Sequence, residues 1–435
     1  MRDPRPSAPV STRLVLMAGF AALALTLWPI RAAAQLQVDI TSGVTDPIPI
    51  AVQPFDADTA ELAQIIAADL GRSGRFVIRP RNEADYLVTG RVTGGARGPS
   101  DVGAAPAAGA PLVVGFRLQN LLTGQSLLEE TLSVPQAAAR QGAHRVADRV
   151  YFRLIGQRSA FATRIAYVTV EGAPPQRRYR LMVADADGAA PRVILESRRP
   201  LMSPAWSPDG RQLAYVSFES RSAAVYVQDL RTAGRRAVSV RAGVNGAPAW
   251  SPAGSRLALT LSSAGGNLDV FLLDPRDGAL ERITDDPAID TEPVWSPDGR
   301  SLFFTSDRAG GPQVYRVAAR AGERAQRVSF GAPYAARPRV SPDGQMLAMV
   351  VRDEGGYRIA VQALAGGERR VLSRGPQDES PAFSPDGGTI LYATRQGGSG
   401  TLEAVTVDGL VRYRLGSPGL DAREPAWGPF PPSVP

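Results

Sequence analysis

The chain of 435 residues has no cysteine, no lysine and a single histidine, His144. Without cysteine there can be no disulfide framework, no cysteine–histidine zinc site and no lipidated N-terminal cysteine. One histidine excludes a multi-histidine metal centre, and any histidine-dependent triad would have to use His144. A Gly-x-Ser-x-Gly elbow and a P-loop are also missing. With no lysine, all 49 cationic side chains are arginine, and the formal net charge is +7. A permanently charged basic chain could bind nucleic acid. The arginines, however, fall in scattered short groups (Arg177-Arg178, Arg198-Arg199, Arg235-Arg236, Arg369-Arg370) rather than one basic tail. They are read as solvated surface, and no nucleic-acid partner is expected.

Glycine (44) and proline (37) are in excess, so their placement matters. Residues 1–34 read as a cleaved secretory signal peptide: Arg2, Arg5 and Arg13 precede an apolar run from Leu14 to Ile30, followed by Ala32-Ala33-Ala34. The alternative is a membrane anchor, for which a run of about 17 residues is marginal. Cleavage before Gln35 would lower the net charge to +4 and leave a soluble, extracytoplasmic product.

Further along, Ser203-Pro204-Ala205-Trp206-Ser207-Pro208-Asp209-Gly210 recurs around Trp250, Trp295, Val340 and Phe383, then in shortened form at Trp427. The steps are 44, 45, 45, 43 and 44 residues, the period of a β-propeller blade. Pro-x-Trp reads as a short strand, Ser-Pro-Asp-Gly as a type I turn with Pro at i+1, and the apolar stretch that follows as a strand buried on both faces. The second-strand sequence Ile165–Val168 has no first strand before it, and Glu424–Trp427 has no second strand after it. Joining the two gives six blades and a closed ring without sheet edges.

Residues 48–158 lack the repeat and read as a small α/β domain. Strands are expected at Ile48–Val52, Phe76–Ile78, Tyr86–Arg91, Val113–Asn120 and Ser126–Val134, with helices at Asp58–Leu70, stopped by Gly71, and at Gln136–Ile155. Thr93–Ala110 is rich in Gly, Ala and Pro and reads as a loop. The expected organisation is a signal peptide (1–34), an N-terminal arm (35–47), the α/β domain (48–158) and a six-bladed propeller (159–435) closed by its C-terminal strand.

No catalytic constellation emerges, and neither an enzyme nor a cofactor or metal is expected. His144 is read as a structural or interdomain histidine. Asp285, Asp286, Asp290 and Glu292 are dense enough to raise Ca²⁺, with a solvated loop as the other reading. The segments entering the inner strands are expected to be loops around one mouth of the channel, and they differ between blades: Leu201-Met202-Ser203, Asn245-Gly246-Ala247, Asp290-Thr291-Glu292, Ala335-Ala336-Arg337, Glu379-Ser380 and Ala422-Arg423-Glu424. Variable segments on a constant scaffold suit binding; ordinary turns are the alternative.

The chain resembles the TolB family of periplasmic propeller proteins of the Tol–Pal system. The resemblance rests on Phe161-x-Thr163-Arg164-Ile165-Ala166-Tyr167-Val168, on Pro200 to Gly210, on Asn245-Gly246-Ala247-Pro248-Ala249, on Thr291-Glu292-Pro293 with Phe304 to Asp307, and on Pro312-Gln313-Val314-Tyr315. It implies a monomeric, non-enzymatic adaptor supporting outer-membrane integrity and division. The lipoprotein Pal would bind at the mouth, and other outer-membrane or peptidoglycan-associated proteins are further candidates. By motif, Asn245, Gly246, Ala247, Thr291 and Glu292 would contact Pal; Met202, Ser203, Arg337, Glu379, Ser380, Arg423 and Glu424 complete the expected mouth. TolA would meet the arm, at Gln35, Leu36, Gln37, Val38, Asp39, Ile40, Thr41, Ser42, Gly43 and Val44. Departures from the repeat are Val340 for the aromatic and Ala253 for Asp, and Val244 stands where relatives can carry His. Two other readings are a sugar- or peptidoglycan-binding propeller and the gating module of a serine peptidase. The latter would need a hydrolase domain, whereas only eight residues follow Trp427.

Overall fold

The computed structural model describes residues 46–57, 61–94, 111–220, 222–396, 398–415 and 421–431. The signal segment, the arm up to residue 45 and the 95–110 loop lie outside them. The small domain runs β1 (Ile48–Val52), α1 (Leu62–Arg72), β2 (Phe76–Ile78), β3 (Tyr86–Thr93), β4 (Leu112–Asn120), β5 (Ser126–Val134) and α2 (Ala139–Ile155). Its sheet has the order β2-β1-β3-β4-β5, with β1 parallel to both neighbours and the β3-β4-β5 meander antiparallel. Leu62, Ile66 and Leu70 recur every four residues along α1, and all three are fully buried against Val146 and Val150 of α2 and the sheet face carrying Ile50, Val88 and Val114.

Both helices depart from their expected limits. Gly71 does not stop α1, which continues through Arg72; Ser73 caps it by donating its hydroxyl to Leu70 O at 2.6 Å, and Gly74 takes the left-handed φ of 72°. A glycine with helical φ is tolerated, and the terminator is the one that adopts positive φ. A short 3-10 turn, Gln136–Ala138, precedes α2, whose end is capped by Gly156 at φ 77°.

The remainder forms six four-stranded antiparallel sheets. Inner strands are Asp421–Trp427 (blade 1), Leu201–Trp206 (blade 2), Asn245–Trp250 (blade 3), Asp290–Trp295 (blade 4), Ala335–Val340 (blade 5) and Asp378–Phe383 (blade 6). Blade 1 closes the ring as expected: Trp427 pairs with Ile165 and Ala422 with Thr169. Second strands are buried on both faces between blades; Leu302, Phe303 and Phe304, consecutive in sequence, are each at most 1% exposed.

The Ser-Pro-Asp-Gly turns lie at one end of the propeller. Asp209 Oδ1 accepts from Ser207 Oγ (2.6 Å) and Arg211 N (3.0 Å), and Gly210 supplies φ 66°. Blade 3 has Ala253 at the Asp position yet keeps the turn, because Ser251 O accepts from Gly254 N at 2.8 Å and Ser251 Oγ from Arg256 N at 3.0 Å. Tryptophan indoles lace the ring: Trp206 Nε1 donates to Ala426 O (3.2 Å), Trp295 Nε1 to Ala249 O (3.1 Å) and Trp427 Nε1 to Thr163 Oγ1 (2.8 Å).

Candidate functional site: the channel mouth

The segments expected as loops are the first halves of the inner strands themselves. In every blade two residues of the inner strand oppose one residue of the second strand. Ser203-Pro204 face Tyr215, and the same skip recurs at Ala247-Pro248, Glu292-Pro293, Arg337-Pro338, Ser380-Pro381 and Glu424-Pro425. The first residue of each pair adopts a left-handed φ: Ser203 52°, Ala247 47°, Glu292 56°, Arg337 53°, Ser380 55° and Glu424 49°. None is glycine, so six strained residues stand at equivalent positions around the channel. The proline explains the bulge, since it has no N–H to give the ladder and so occupies the unpaired position. Strain repeated in this way marks a designed surface.

The mouth residues divide by exposure. Met202 is 38% exposed, while Asn245 is fully buried and Ser380 nearly so. Asn245 Oδ1 accepts from Ser239 Oγ at 2.6 Å and Arg241 N at 3.1 Å, and its amide donates to Arg241 O at 2.6 Å. Asn245 and Ser380 therefore shape the mouth from beneath. Gly246, Thr291, Glu292, Arg337, Glu379, Arg423 and Glu424 are partly exposed, as are Ser203 and Ala247. Sequence reading missed exposed apolar residues at the same end, Ile289 and Tyr357, the latter edge-on to Tyr334 at 5.3 Å. An apolar residue in the short link before an inner strand was the available signal for Ile289.

Charged pairs link neighbouring inner strands around the channel. Glu292 Oε1 lies 3.0 Å from Arg337 Nε, and Glu292 Oε2 accepts from Arg337 N (3.1 Å) and Thr305 Oγ1 (3.0 Å). Arg337 also donates to Ser380 Oγ. Across the ring, Glu424 Oε2 accepts from Ser203 N at 2.5 Å, and burial pushes the Glu424 carboxyl above its usual range. Arg423 is bidentate on Asp421 at 2.9 and 2.5 Å.

The acidic cluster is a solvated loop only at its start: Asp285 is exposed and Asp286 half-buried in the irregular segment before blade 4, whereas Asp290 is not. Asp290 is fully buried in blade 4 and receives Arg308 Nη2 at 2.9 and 2.7 Å; Asp286 lies 3.4 Å from Arg308, and Asp285 2.7 Å from Arg282. With Arg337 on Glu292, each of these four carboxylates has an arginine within ion-pair distance. Arg308, 19% exposed, is thus a counter-ion within the blade, while the doublets Arg198-Arg199 and Arg235-Arg236 are exposed as expected.

His144 joins the two domains. Its ring is fully buried, with Nδ1 2.6 Å from Asp69 Oδ2 on α1 and Nε2 3.7 Å from Asp185 Oδ2 of blade 1. Arg140 reaches Asp185 (3.3 Å) and Asp187 (2.7 Å), and Gln141 donates to Asp185 (2.7 Å). Burial alone would lower the His144 pKa, but Asp185 and Asp69 together push it up to about 10. Beside this contact, a cavity of about 390 Å³ between small domain and propeller is lined by Arg72, Tyr151, Arg158, Asp386 and Tyr413 among others. The expected arm residues Gln35 to Val44 lie outside the described residues.

Comparison with known proteins accords with this architecture. Residues 151–431 match the TolB beta propeller domain and residues 36–84 the TolB amino-terminal domain. The chain is 48% identical over 433 residues to the Tol-Pal system protein TolB of Alcanivorax borkumensis, covering 94% of this chain and 96% of the relative. It is 50% identical over 414 residues to that of Methylococcus capsulatus, covering 91% and 95%. Among solved structures, the crystal structure of TolB from Acinetobacter baumannii superposes with a TM-score of 0.80 at 37% identity, covering 88% of this chain and 97% of that one. The chain belongs to the TolB family, non-enzymatic β-propeller components of the Tol–Pal envelope system.

Proposed function

We propose that this protein is a periplasmic adaptor that docks the lipoprotein Pal on the channel mouth and presents residues 35–44 to TolA. In this reading residues 1–34 are removed on export, and the adaptor supports outer-membrane integrity and invagination during division. The observation that carries it is the ring of six non-glycine left-handed bulges, which holds side chains that differ from blade to blade on a constant scaffold. Met202, Ile289 and Tyr357 add exposed apolar area to a mixed-charge mouth, the composition of a protein-docking surface. The mouth residues offered to Pal are Gly246, Ala247, Thr291, Glu292, Arg337, Glu379 and Arg423, with Asn245 and Ser380 supporting them from below.

The test is capture of Pal by the mature chain and by Thr291→Arg. Thr291 is partly exposed, with its hydroxyl 3.3 Å from that of Thr260, so an arginine there projects into the mouth without entering the core. Loss of Pal capture with TolA binding retained is the expected result; undiminished capture by the folded variant would place Pal elsewhere. Deleting residues 35–44 should abolish TolA binding and leave Pal capture intact.

A further inference from the structure

One layer of the channel departs from the six-fold pattern. Two residues after each left-handed bulge residue, the inner strands carry Ala205, Ala249, Val294, Arg339, Ala382 and Ala426. Five positions are small and apolar, and the sixth is an arginine. A guanidinium has five N–H donors. Among the described residues, the acceptor in hydrogen-bond range of Arg339 is the adjoining Pro338 O, 2.8 Å from Nη1, and no carboxylate lies within ion-pair distance.

Its electrostatic neighbours come from three inner strands, namely Glu292 of blade 4, Arg337 of its own blade 5 and Glu424 of blade 1, which places the group inside the ring. Burial holds its pKa below the ordinary arginine value, against the pull of Glu292 and Glu424. Those carboxylates are committed elsewhere: Glu292 to Arg337 at 3.0 Å and Thr305 at 3.0 Å, Glu424 to Ser203 N at 2.5 Å. Arg339 is only partly exposed, its guanidinium has no carboxylate within ion-pair distance among the described residues, and its planar fork matches a carboxylate.

We propose that Arg339 makes the central channel a carboxylate site, which receives an acidic side chain or the C-terminal carboxylate of the protein docked on the mouth. This rests on the docking reading above. The other source of the same chemistry is a free carboxylate from solution.

The experiment measures Pal binding to the mature chain, to Arg339→Ala and to Arg339→Lys, each with and without sodium acetate as competitor. A lost charge-assisted pair should weaken Arg339→Ala by at least about tenfold, with Arg339→Lys in between. Acetate should weaken the wild type and leave Arg339→Ala unchanged. Arg339→Gln, which keeps a polar side chain of similar length and removes the charge, keeps the proposal testable should the alanine variant unfold: it should retain the fold and lose Pal affinity to a similar extent. Wild-type affinity in folded Arg339→Ala or Arg339→Gln overturns this proposal alone, including the case in which acetate still binds at Arg339. Failure of the wild type itself to bind Pal overturns the docking reading and this proposal with it.

Discussion

Replacing His144 by alanine should uncouple the small domain from blade 1, and the structure sets the size of the effect. The ring is fully buried and faces Asp69 at 2.6 Å and Asp185 at 3.7 Å. Its removal leaves Asp69, itself 2% exposed, with Arg72 at 3.2 Å as its remaining ion-pair partner. Breaking a buried pair from one side costs about 3–5 kcal/mol. For a domain near 100 residues this lowers the unfolding midpoint by on the order of 10–20 °C. The sign with pH is fixed by the pKa, which rises from 6.5 to about 10 on folding. The stabilisation is therefore complete below about pH 6.5 and declines as pH rises through 10. Thermal unfolding of both proteins from pH 6 to pH 10 should show a gap that is widest at the acid end and closes toward the alkaline end. The double variant His144→Leu/Asp69→Leu should recover much of the loss, because apolar replacement of a whole buried pair removes the stranded charge. A gap under 1 kcal/mol, or one that does not change with pH, would refute the ion-pair account and leave His144 as packing alone.

Asp148 provides a second titration. Burial pushes its carboxyl up to about 7, although Ser159 Oγ donates to it at 2.6 Å. Its contribution is thus present below about 3.9 and lost as pH rises through 7, so the melting temperature of the wild type should fall relative to that of Asp148→Asn from pH 4 to pH 8. At the mouth, Ala247→Gly should stabilise the propeller by up to about 1 kcal/mol in urea titrations, since glycine relieves the φ of 47°; a loss of stability would contradict backbone strain. Trp427→Ala removes the indole bond to Thr163 and side-chain packing in the closing strand, at a cost of about 3 kcal/mol, and should speed limited proteolysis of the C-terminal strand. Unchanged cleavage would mean that the ring is closed by backbone pairing alone.

The blades were legible because each repeat carries its own turn chemistry: proline, aspartate and glycine at fixed offsets dictate local geometry whatever surrounds them. Closure was legible from two half-units that complete each other. The bulge was half-legible. A proline two residues before the aromatic cannot sit in a regular central ladder, so its recurrence within six strands implied an interruption at each, yet the residue before it gave no sign of positive φ. Ser, Ala, Glu and Arg are poor left-handed formers, and their conformation is imposed by the ring. What could not be read were the pairings. Asp69, His144 and Asp185 are distant in sequence, and nothing local distinguishes Asp290, matched by Arg308, from a surface carboxylate. The same gap hid individual arginines: the doublets read as surface are mostly exposed, but a propeller folds every forty-odd residues back to one axis. An arginine that recurs at no fixed offset can therefore still meet the same channel as its neighbours. Arg337 and Arg339 do so from a single strand, one neutralised by Glu292 and the other without a carboxylate partner among the described residues.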